Sequence, residues 1–382
     1  MPAMAYQAGS YRQHNNYKCF LPTPVNSAYE WKDKRITPAL AQAMHAVGEL
    51  NAASLSVPDL DAFLFMYITK EAVTSSHIEG TKTNVEDALM PEEELTPEKR
   101  NDWQEVKNYM AAMSFAIKEL EKLPLSMRLI KDAHHVLMQG VRGSTKNPGE
   151  VRTVQNWIGG PSPDKARYVP PHFVDVPDLL TDLERLWHNT AIDTPELIRA
   201  GLSHYQFESI HPFLDGNGRT GRLLITLYLM HAELLSTPTL YLSAFFDANR
   251  DDYFDALNRV RKDNDMDFWL LYFLAGVTET AKDARKTLTE IMELKKRYEK
   301  LITDSFGKRT DVALRFLHYL FSHPMVQVKD AIEALAITKP SANSLVAKFA
   351  EVGILKETTG QKKNRIFSLW EYVGLFNSSF KI

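Results

Sequence analysis

Residues 209–222 read Ser209-Ile210-His211-Pro212-Phe213-Leu214-Asp215-Gly216-Asn217-Gly218-Arg219-Thr220-Gly221-Arg222, and their pattern decides the fold around them. A helix ends near Ile210, a loop with Gly216 and Gly218 follows, and a second helix begins near Asn217 or Gly218. That second helix runs through Leu223, Leu224, Leu227, Met230 and Leu234. It is apolar on nearly every face, so it is expected in the middle of a helical domain. Its N-terminus then presents unpaired backbone N–H groups and a positive dipole end inside a partly dry site. The glycines let an anion approach the backbone, and Arg219 and Arg222 stand on one side of the first turn. This is the pattern of a phosphate cradle. Asp215 offers a hard oxygen ligand suited to Mg²⁺ carrying polyphosphate. His211 offers a general base near neutral pH. A base, a metal ligand and a polyphosphate nest within twelve residues point to nucleotidyl or phosphoryl transfer, in which positioning and charge neutralisation do most of the work.

Other chemistries fit the same residues less well. Gly216-x-Gly218-x-x-Gly221 matches GxGxxG, but no βαβ unit surrounds it and a helix precedes it, which argues against a dinucleotide fold. An EF-hand loop fails because Arg219 and Thr220 stand where it needs an acidic or amide ligand and a glycine. His204, His211 and Asp215 lack a standard zinc spacing, and His204 is expected to pack or orient the loop. His134-His135 reads as a pair on a helix surface.

The run HPFLDGNGRTGR resembles the Fic signature HPFx(D/E)GNGRxxR at every specified position. The resemblance extends upstream to Gly149-Glu150-Val151-Arg152 and Trp157-Ile158-Gly159-Gly160, and covers most of 60–275. It implies a protein adenylyltransferase that moves AMP from ATP to a Ser, Thr or Tyr hydroxyl of a protein, possible self-modification included. In that reading His211 deprotonates the target hydroxyl, and Asp215 holds Mg²⁺ between the α- and β-phosphates. Asn217 and the amides of Gly216 and Gly218 hold the phosphates, Arg219 stabilises the β-phosphate side, and Arg222 takes the γ-phosphate. A flap at about 161–171 would hold the target as an added strand. Tyr253 and Phe254 stand where the family often has two tyrosines near the adenine. The same site would also serve removal of AMP or transfer of another phosphate group. A nucleotide-sensing DNA-binding regulator is the remaining alternative, although sensing does not need the base His211.

Ser75-Ser76-His77-Ile78-Glu79-Gly80 resembles the family's inhibitory motif, (S/T)xxxE(G/N). Glu79 falls in the last turn of its helix, where the dipole disfavours a carboxylate and a partner cation would offset the cost. The resemblance names Arg222 as that partner, in the γ-phosphate position. Ser75 stands one turn earlier on the same face, within reach of the same site.

The rest of the chain is ordinary for a globular protein. Of 382 residues 44% are hydrophobic and 24% charged, and the net charge is -3, so no whole-protein field points to nucleic acid or membrane. The single cysteine, Cys19, excludes an intrachain disulfide and fits a reducing compartment. No run is apolar enough to span a bilayer and the N-terminus lacks a signal pattern, so a cytoplasmic location is expected. The fold class expected is mainly α: a Fic-type helical bundle with a small β-hairpin flap and a C-terminal winged helix-turn-helix. Residues 1–95 form a loose arm and the inhibitory helix region, 96–280 the catalytic core, 281–306 a helical connector, and 307–382 a winged helix standing as a satellite. Between Lys308 and Glu371 ten Lys/Arg stand against six Asp/Glu. Lys339 and Lys348 on the recognition helix, and Lys362, Lys363 and Arg365 on the wing, would meet DNA phosphates over 307–370. A homodimer is compatible with all of this.

Overall fold

The structure, a computed structural model, describes residues 6–377 apart from 142, 144 and 362. The core runs as α1 (Ile36–Leu55), α2 (Asp61–Ile78), α3 (Val85–Leu89), α4 (Pro97–Leu120), α5 (Met127–Leu137), α6 (Val176–His188), α7 (Glu196–Ile210), α8 (Asn217–His231), α9 (Ser243–Ala248), α10 (Arg250–Asp263) and α11 (Met266–Ser305). The apolar pattern of α8 has the expected effect: Asn217 and every residue from Arg219 to Leu229 are buried. Helices α2, α4, α5 and α7 pack around it. The start of α7 lies one residue later than its Thr194-Pro195-Glu196 sequence suggests. Pro195 is the extended residue before the helix, and the Thr194 hydroxyl accepts from the Tyr29 amide at 3.1 Å instead of capping.

The N-terminal residues are not a loose arm. Gly9–His14 (β1) and Tyr17–Pro22 (β2) pair antiparallel, with His14 opposite Tyr17. The two-residue turn between them puts Asn15 at φ 45°, a conformation that asparagine tolerates better than most residues. Cys19 and Phe20 are buried, and the Phe20 amide donates to the Val169 carbonyl at 2.9 Å. The hairpin thus lies against the flap. The flap itself is closed by one antiparallel bridge, Ile158–Tyr168, rather than by a regular two-stranded ladder. Its Pro- and Gly-rich composition explains this, since prolines cannot donate to a ladder. The 168–169 segment is therefore flanked on both sides, by Ile158 and by Phe20.

The C-terminal unit comprises α12 (Thr310–Ser322), β3 (Met325–Val326), α13 (Val328–Leu335), α14 (Lys339–Glu351), β4 (Lys356–Glu357), β5 (Phe367–Ser368) and α15 (Trp370–Gly374). The strands form one antiparallel sheet in the order β3-β5-β4. Lys362 lies outside the described residues. This unit does not stand apart as a satellite. Phe63 of α2 meets Phe321 edge-on at 5.1 Å and Tyr372 at 6.3 Å, and Tyr67 meets Phe376 at 5.1 Å. The proposed boundary at 280 falls inside α11, whose 40 residues run unbroken, with Ala281, Ala284, Leu288, Ile291 and Leu294 buried. The Tyr67 hydroxyl donates to the Ala284 carbonyl at 3.1 Å, which fastens α2 to that connector.

The ring cluster makes a stability prediction. Phe63 is 1% exposed, and Phe63→Ala should cost roughly 3–5 kcal/mol. Calorimetry should show one melting transition that shifts as a whole. Two transitions, only one of them displaced, would mean that the core and the C-terminal unit are not one cooperative body.

Candidate active site

The turn between α7 and α8 is held in a costly conformation. His211, the residue after α7, has φ 50° and ψ 60°, a left-handed geometry that costs a non-glycine residue about 1–2 kcal/mol. Its neighbours over-determine it. The His211 amide donates to the Phe207 carbonyl at 2.9 Å, and the His211 carbonyl accepts from Arg152 Nε at 2.9 Å and Asn156 Nδ2 at 3.1 Å. Arg152 is buried and directs its remaining N–H groups to the carbonyls of Val154, Pro171 and Ile210. Burial without a carboxylate partner pulls its pKa down to about 10.

Two residues assigned otherwise from sequence belong to the same brace. The Asn217 side chain was expected on the phosphates. Its Oδ1 instead accepts from the Phe213 amide and its Nδ2 donates to the Phe213 carbonyl, both at 2.8 Å. Both ends of the amide are engaged by the loop, which leaves one Nδ2–H and the backbone N–H of Asn217 for an anion. His134 was expected on a helix surface, and it is 2% exposed. Its ring stacks on Phe213 at 3.8 Å, its Nδ1 accepts from the Gly149 amide at 2.8 Å, and its Nε2–H donates to the Asp215 carbonyl at 2.9 Å. Burial pushes its pKa down to about 4, which keeps that tautomer neutral. His204 braces the next turn. Its Nδ1–H donates to the Gly221 carbonyl at 2.9 Å, and its Nε2 accepts from the Tyr253 hydroxyl at 2.8 Å. Tyr253 is thereby committed to the core, and the half-buried Phe254 carries Arg250 over its ring at 5.6 Å.

The cradle at the start of α8 is formed. Gly216 sits at φ 74°, and the first helical bond runs from the Thr220 amide to the Gly216 carbonyl at 3.1 Å. The amides of Asn217, Gly218 and Arg219 precede it and have no carbonyl four residues back within the helix. A Cβ on Gly218 would come within 2.2 Å of Glu79 Oε1 and 3.0 Å of Arg222 Nη1. The Glu79 carboxylate therefore lies directly over the N-terminus of α8. Arg222 Nη2 donates to Glu79 Oε1 at 2.7 Å and to the Ser75 carbonyl at 2.8 Å, while its Nε donates to Ser75 Oγ at 2.8 Å. Ser75, Glu79, Gly218 and Arg222 are thus brought together. Burial would raise the Glu79 pKa, but the charge and hydrogen bond of Arg222 outweigh it and hold the carboxyl below its ordinary value. Glu79 follows the C-terminus of α2, the unfavourable end for an anion. Arg250 donates from Nε and Nη2 to the Ile78 carbonyl at 3.1 and 2.9 Å, placing a cation on that end.

Arg219 parts company with Arg222. Its Nη1 donates to Glu105 Oε2 of α4 at 3.0 Å, both side chains being 4% exposed, and its Nη2 reaches Met138 Sδ at 3.6 Å. A buried carboxylate on α4 demands a counter-charge, and this draws the guanidinium away from the cradle. Asp215 Oδ1 accepts from the Gly216 amide at 2.8 Å, and Oδ2 faces Lys146 Nζ at 3.1 Å on the surface. Among the described residues no cluster of three or more metal-ligating side chains forms. Mg²⁺ needs only one or two carboxylates besides substrate phosphates. The accessible carboxylate of Asp215 beside the cradle meets that requirement.

The His211 ring faces the site with no partner on Nδ1. Burial, helped by the positive charges of Arg152 and Arg261 against an opposing pull from Glu79, lowers its pKa to about 4. It is neutral at pH 7 and able to accept a proton. Sequence reading passed over two buried acids nearby. Glu71 Oε1 accepts from the Tyr109 hydroxyl at 2.8 Å and the Ser243 hydroxyl at 2.5 Å, and burial raises its pKa to about 7. Glu71, Ser75 and Glu79 are spaced by four, one face of α2, which is a signal that was available. Glu208 presses on Gly221 with Oε1 unpartnered, and burial takes it to about 7 as well.

Residues 37–118 match the Fic/DOC family N-terminal model and residues 124–229 the Fic/DOC family model. The chain is a Fic domain protein. It is 40% identical over 84 residues to the protein adenylyltransferase fic-1 of Caenorhabditis elegans, covering 22% of this chain and 15% of that one. It is 33% identical over 131 residues to the protein adenylyltransferase Fic of Drosophila erecta, covering 33% and 25%. The Fic chain thus spans a quarter or less of the length of these two relatives. A Fic family protein from Desulfovibrio desulfuricans G20 shares its fold with a TM-score of 0.55 at 19% identity, over 90% of this chain and 98% of that chain. A Fic domain containing signaling protein from Bacteroides thetaiotaomicron does so with a TM-score of 0.54 at 19% identity, over 65% and 97%. No helix among the described residues is long and apolar enough to cross a membrane.

The electrostatics of the Fic cradle can be read directly. In the wild type the Glu79 carboxyl should titrate below its ordinary 4.5 in a site-resolved NMR experiment. A folded-state pKa that is depressed means the contact is intact above the ordinary value and is lost as pH falls through the depressed one. Arg222→Gln removes the largest attraction, so the Glu79 pKa should rise toward its ordinary 4.5. An unchanged value in that variant would show that Arg222 does not set it.

Proposed function

We propose that this protein transfers AMP from ATP to a hydroxyl side chain of a protein, and that Glu79 holds it in a low-activity state. One observation carries the reading. A carboxylate supplied by the chain itself sits over Gly218 and on Arg222, where an anion bound at the N-terminus of α8 would sit. The terminal phosphates of ATP fit the same amides and the same guanidinium. Glu79 and those phosphates then compete for one place, and a nucleotide bound beside Glu79 presents a misaligned α-phosphorus.

The chemistry follows from the residues present. Neutral His211 accepts the proton of the target hydroxyl as that oxygen forms a bond to the α-phosphorus. The bond from the α-phosphorus to the bridging oxygen breaks, and pyrophosphate leaves. The brace of Arg152, Asn156, Asn217 and His134 keeps His211 and the cradle in register, which is where most of the acceleration of such a reaction arises. Asp215 would hold Mg²⁺, whose charge neutralises the polyphosphate. The target segment would add to the flap at about 161–171 as an extra strand, by main-chain hydrogen bonds. The Asn217 side chain and Arg219 act in this reading as braces for the loop and helix. The ligand contacts come from the α8 amides and Arg222.

Purified wild type, Glu79→Gly and Glu79→Gly/His211→Ala, incubated with α-labelled ATP and Mg²⁺ and a cell lysate, test this. Glu79→Gly should label protein well above wild type. Adding His211→Ala should cut the rate by about 10²–10⁴, the usual worth of a general base. Equal labelling by wild type and Glu79→Gly would refute the inhibition, and label insensitive to His211→Ala would refute the base. The pH profile is a separate check. The acid limb of kcat/KM in Glu79→Gly should lie below the ordinary histidine value of 6.5, toward about 4. A limb at 6.5 or higher would mean that burial does not set the base.

A further inference from the structure

The C-terminal unit carries a surface that the transfer reaction does not use. A groove runs between α13, α14 and the turn before β5. Four cations line it: Lys329 from α13, Lys339 from α14, and Lys363 and Arg365 from the turn. Among the described residues no carboxylate lines it, in a chain whose net charge is -3. Among the described residues the side chains of Lys329, Lys339 and Lys363 have no hydrogen-bond or ion-pair partner. Arg365 is shared with Glu357 at 3.1 Å and remains half-exposed. Lys348, which the sequence put in the same set, lies outside the groove and pairs with Glu351 at 2.8 Å.

The shape agrees with the charge. The exposed residues of α14 are Lys339 and Pro340 at its start, Asn343, Ser344 and Ala347 along its middle, and Glu351 at its end. Its buried side is Ala342, Leu345, Val346 and Phe349. An α-helix with its side chains is about 10–12 Å across, which the major groove of B-form DNA, about 12 Å wide, admits. Cations flanking such a helix on both sides reach the phosphates of the two strands, and a neutral polar residue such as Asn343 faces the base edges. An acidic protein surface would be served by the charge alone and would not need a helix set between the cations.

We infer that this groove seats duplex DNA, with α14 in the major groove and Lys329, Lys339, Lys363 and Arg365 on the phosphates. The contact is independent of the AMP-transfer reading, since no residue of the α8 cradle takes part.

The test uses the full chain and a fluorescein-labelled duplex of mixed sequence, followed by anisotropy over a salt series. Binding should weaken steeply with salt. Lys329→Ala/Lys339→Ala should weaken it and lower the slope of log K against log salt by about two, one per lysine removed. Lys348→Ala, outside the groove, should leave affinity and slope unchanged. All variants should keep the wild-type melting temperature, because the altered side chains are exposed. The proposal is overturned if the duplex does not bind, or if Lys348→Ala weakens binding as much as the groove variant. It is overturned equally if single-stranded DNA binds as tightly as duplex, or if poly-glutamate competes as well as DNA does. The last outcome would assign the surface to an acidic protein.

Discussion

The buried guanidinium of Arg222 is the constraint on which the site depends. It is 3% exposed and lies at the start of a helix whose own dipole is positive there. A cation in that place is doubly unfavourable unless anions or carbonyls surround it. The chain supplies a hydroxyl, a carbonyl and a carboxylate, all from one face of α2. The same need makes the position a receptor for phosphate. In the proposed function that position takes the terminal phosphates of ATP, and inhibition and nucleotide affinity are two results of one electrostatic arrangement.

The second requirement is backbone precision. His211 and Gly216 both adopt left-handed conformations within six residues. Glycine does so at little cost, whereas His211 has to be held. Arg152, Asn156, Asn217 and His134 come from outside the helix α7 or from beyond the turn, and all four bind main-chain groups of the loop. Main-chain partners are indifferent to which substrate is present, so the loop geometry persists through binding and release. This explains why residues with catalytic-looking chemistry are found in structural roles. A charged or amide side chain is the strongest available clamp on a carbonyl.

How much of this is legible in the sequence depends on the range of each interaction. The two helices, the glycine turn, the buried α8 and the helix that ends at Glu79 are set by local pattern and could be read from it. The partner of Arg219 is a carboxylate 114 residues earlier in the chain, and the cap on α2 is an arginine 172 residues later. Helical periodicity says which face is buried, but not which residue of another helix meets it. Glu79 and Arg222 are 143 residues apart, and only the resemblance to known Fic motifs joined them in advance. The β1–β2 hairpin is a different case. Its Asn15-Asn16 turn is a local signal, obscured by polar strands that are exposed on both faces of β1.

Helix α2 links the catalytic and C-terminal parts by its length. Phe63 stands in its first turn and Glu79 just past its last residue, about 24 Å apart at 1.5 Å per residue. At one end its rings are locked into Phe321, Tyr372 and Phe376, and at the other its carboxylate is locked onto Arg222. Between them Glu71 fixes the helix to Tyr109 of α4 and to Ser243 of α9. Glu79 cannot withdraw by a movement of the whole helix without breaking these interior contacts. The economical route is local: rotation of the Glu79 side chain, or fraying of the last turn, where Arg250 holds a single carbonyl. Gly80, at φ 102° with nothing near its missing Cβ, gives the chain freedom to do this directly after Glu79. The fold thus separates a rigid stem, anchored in the C-terminal unit, from a short tip that carries Glu79.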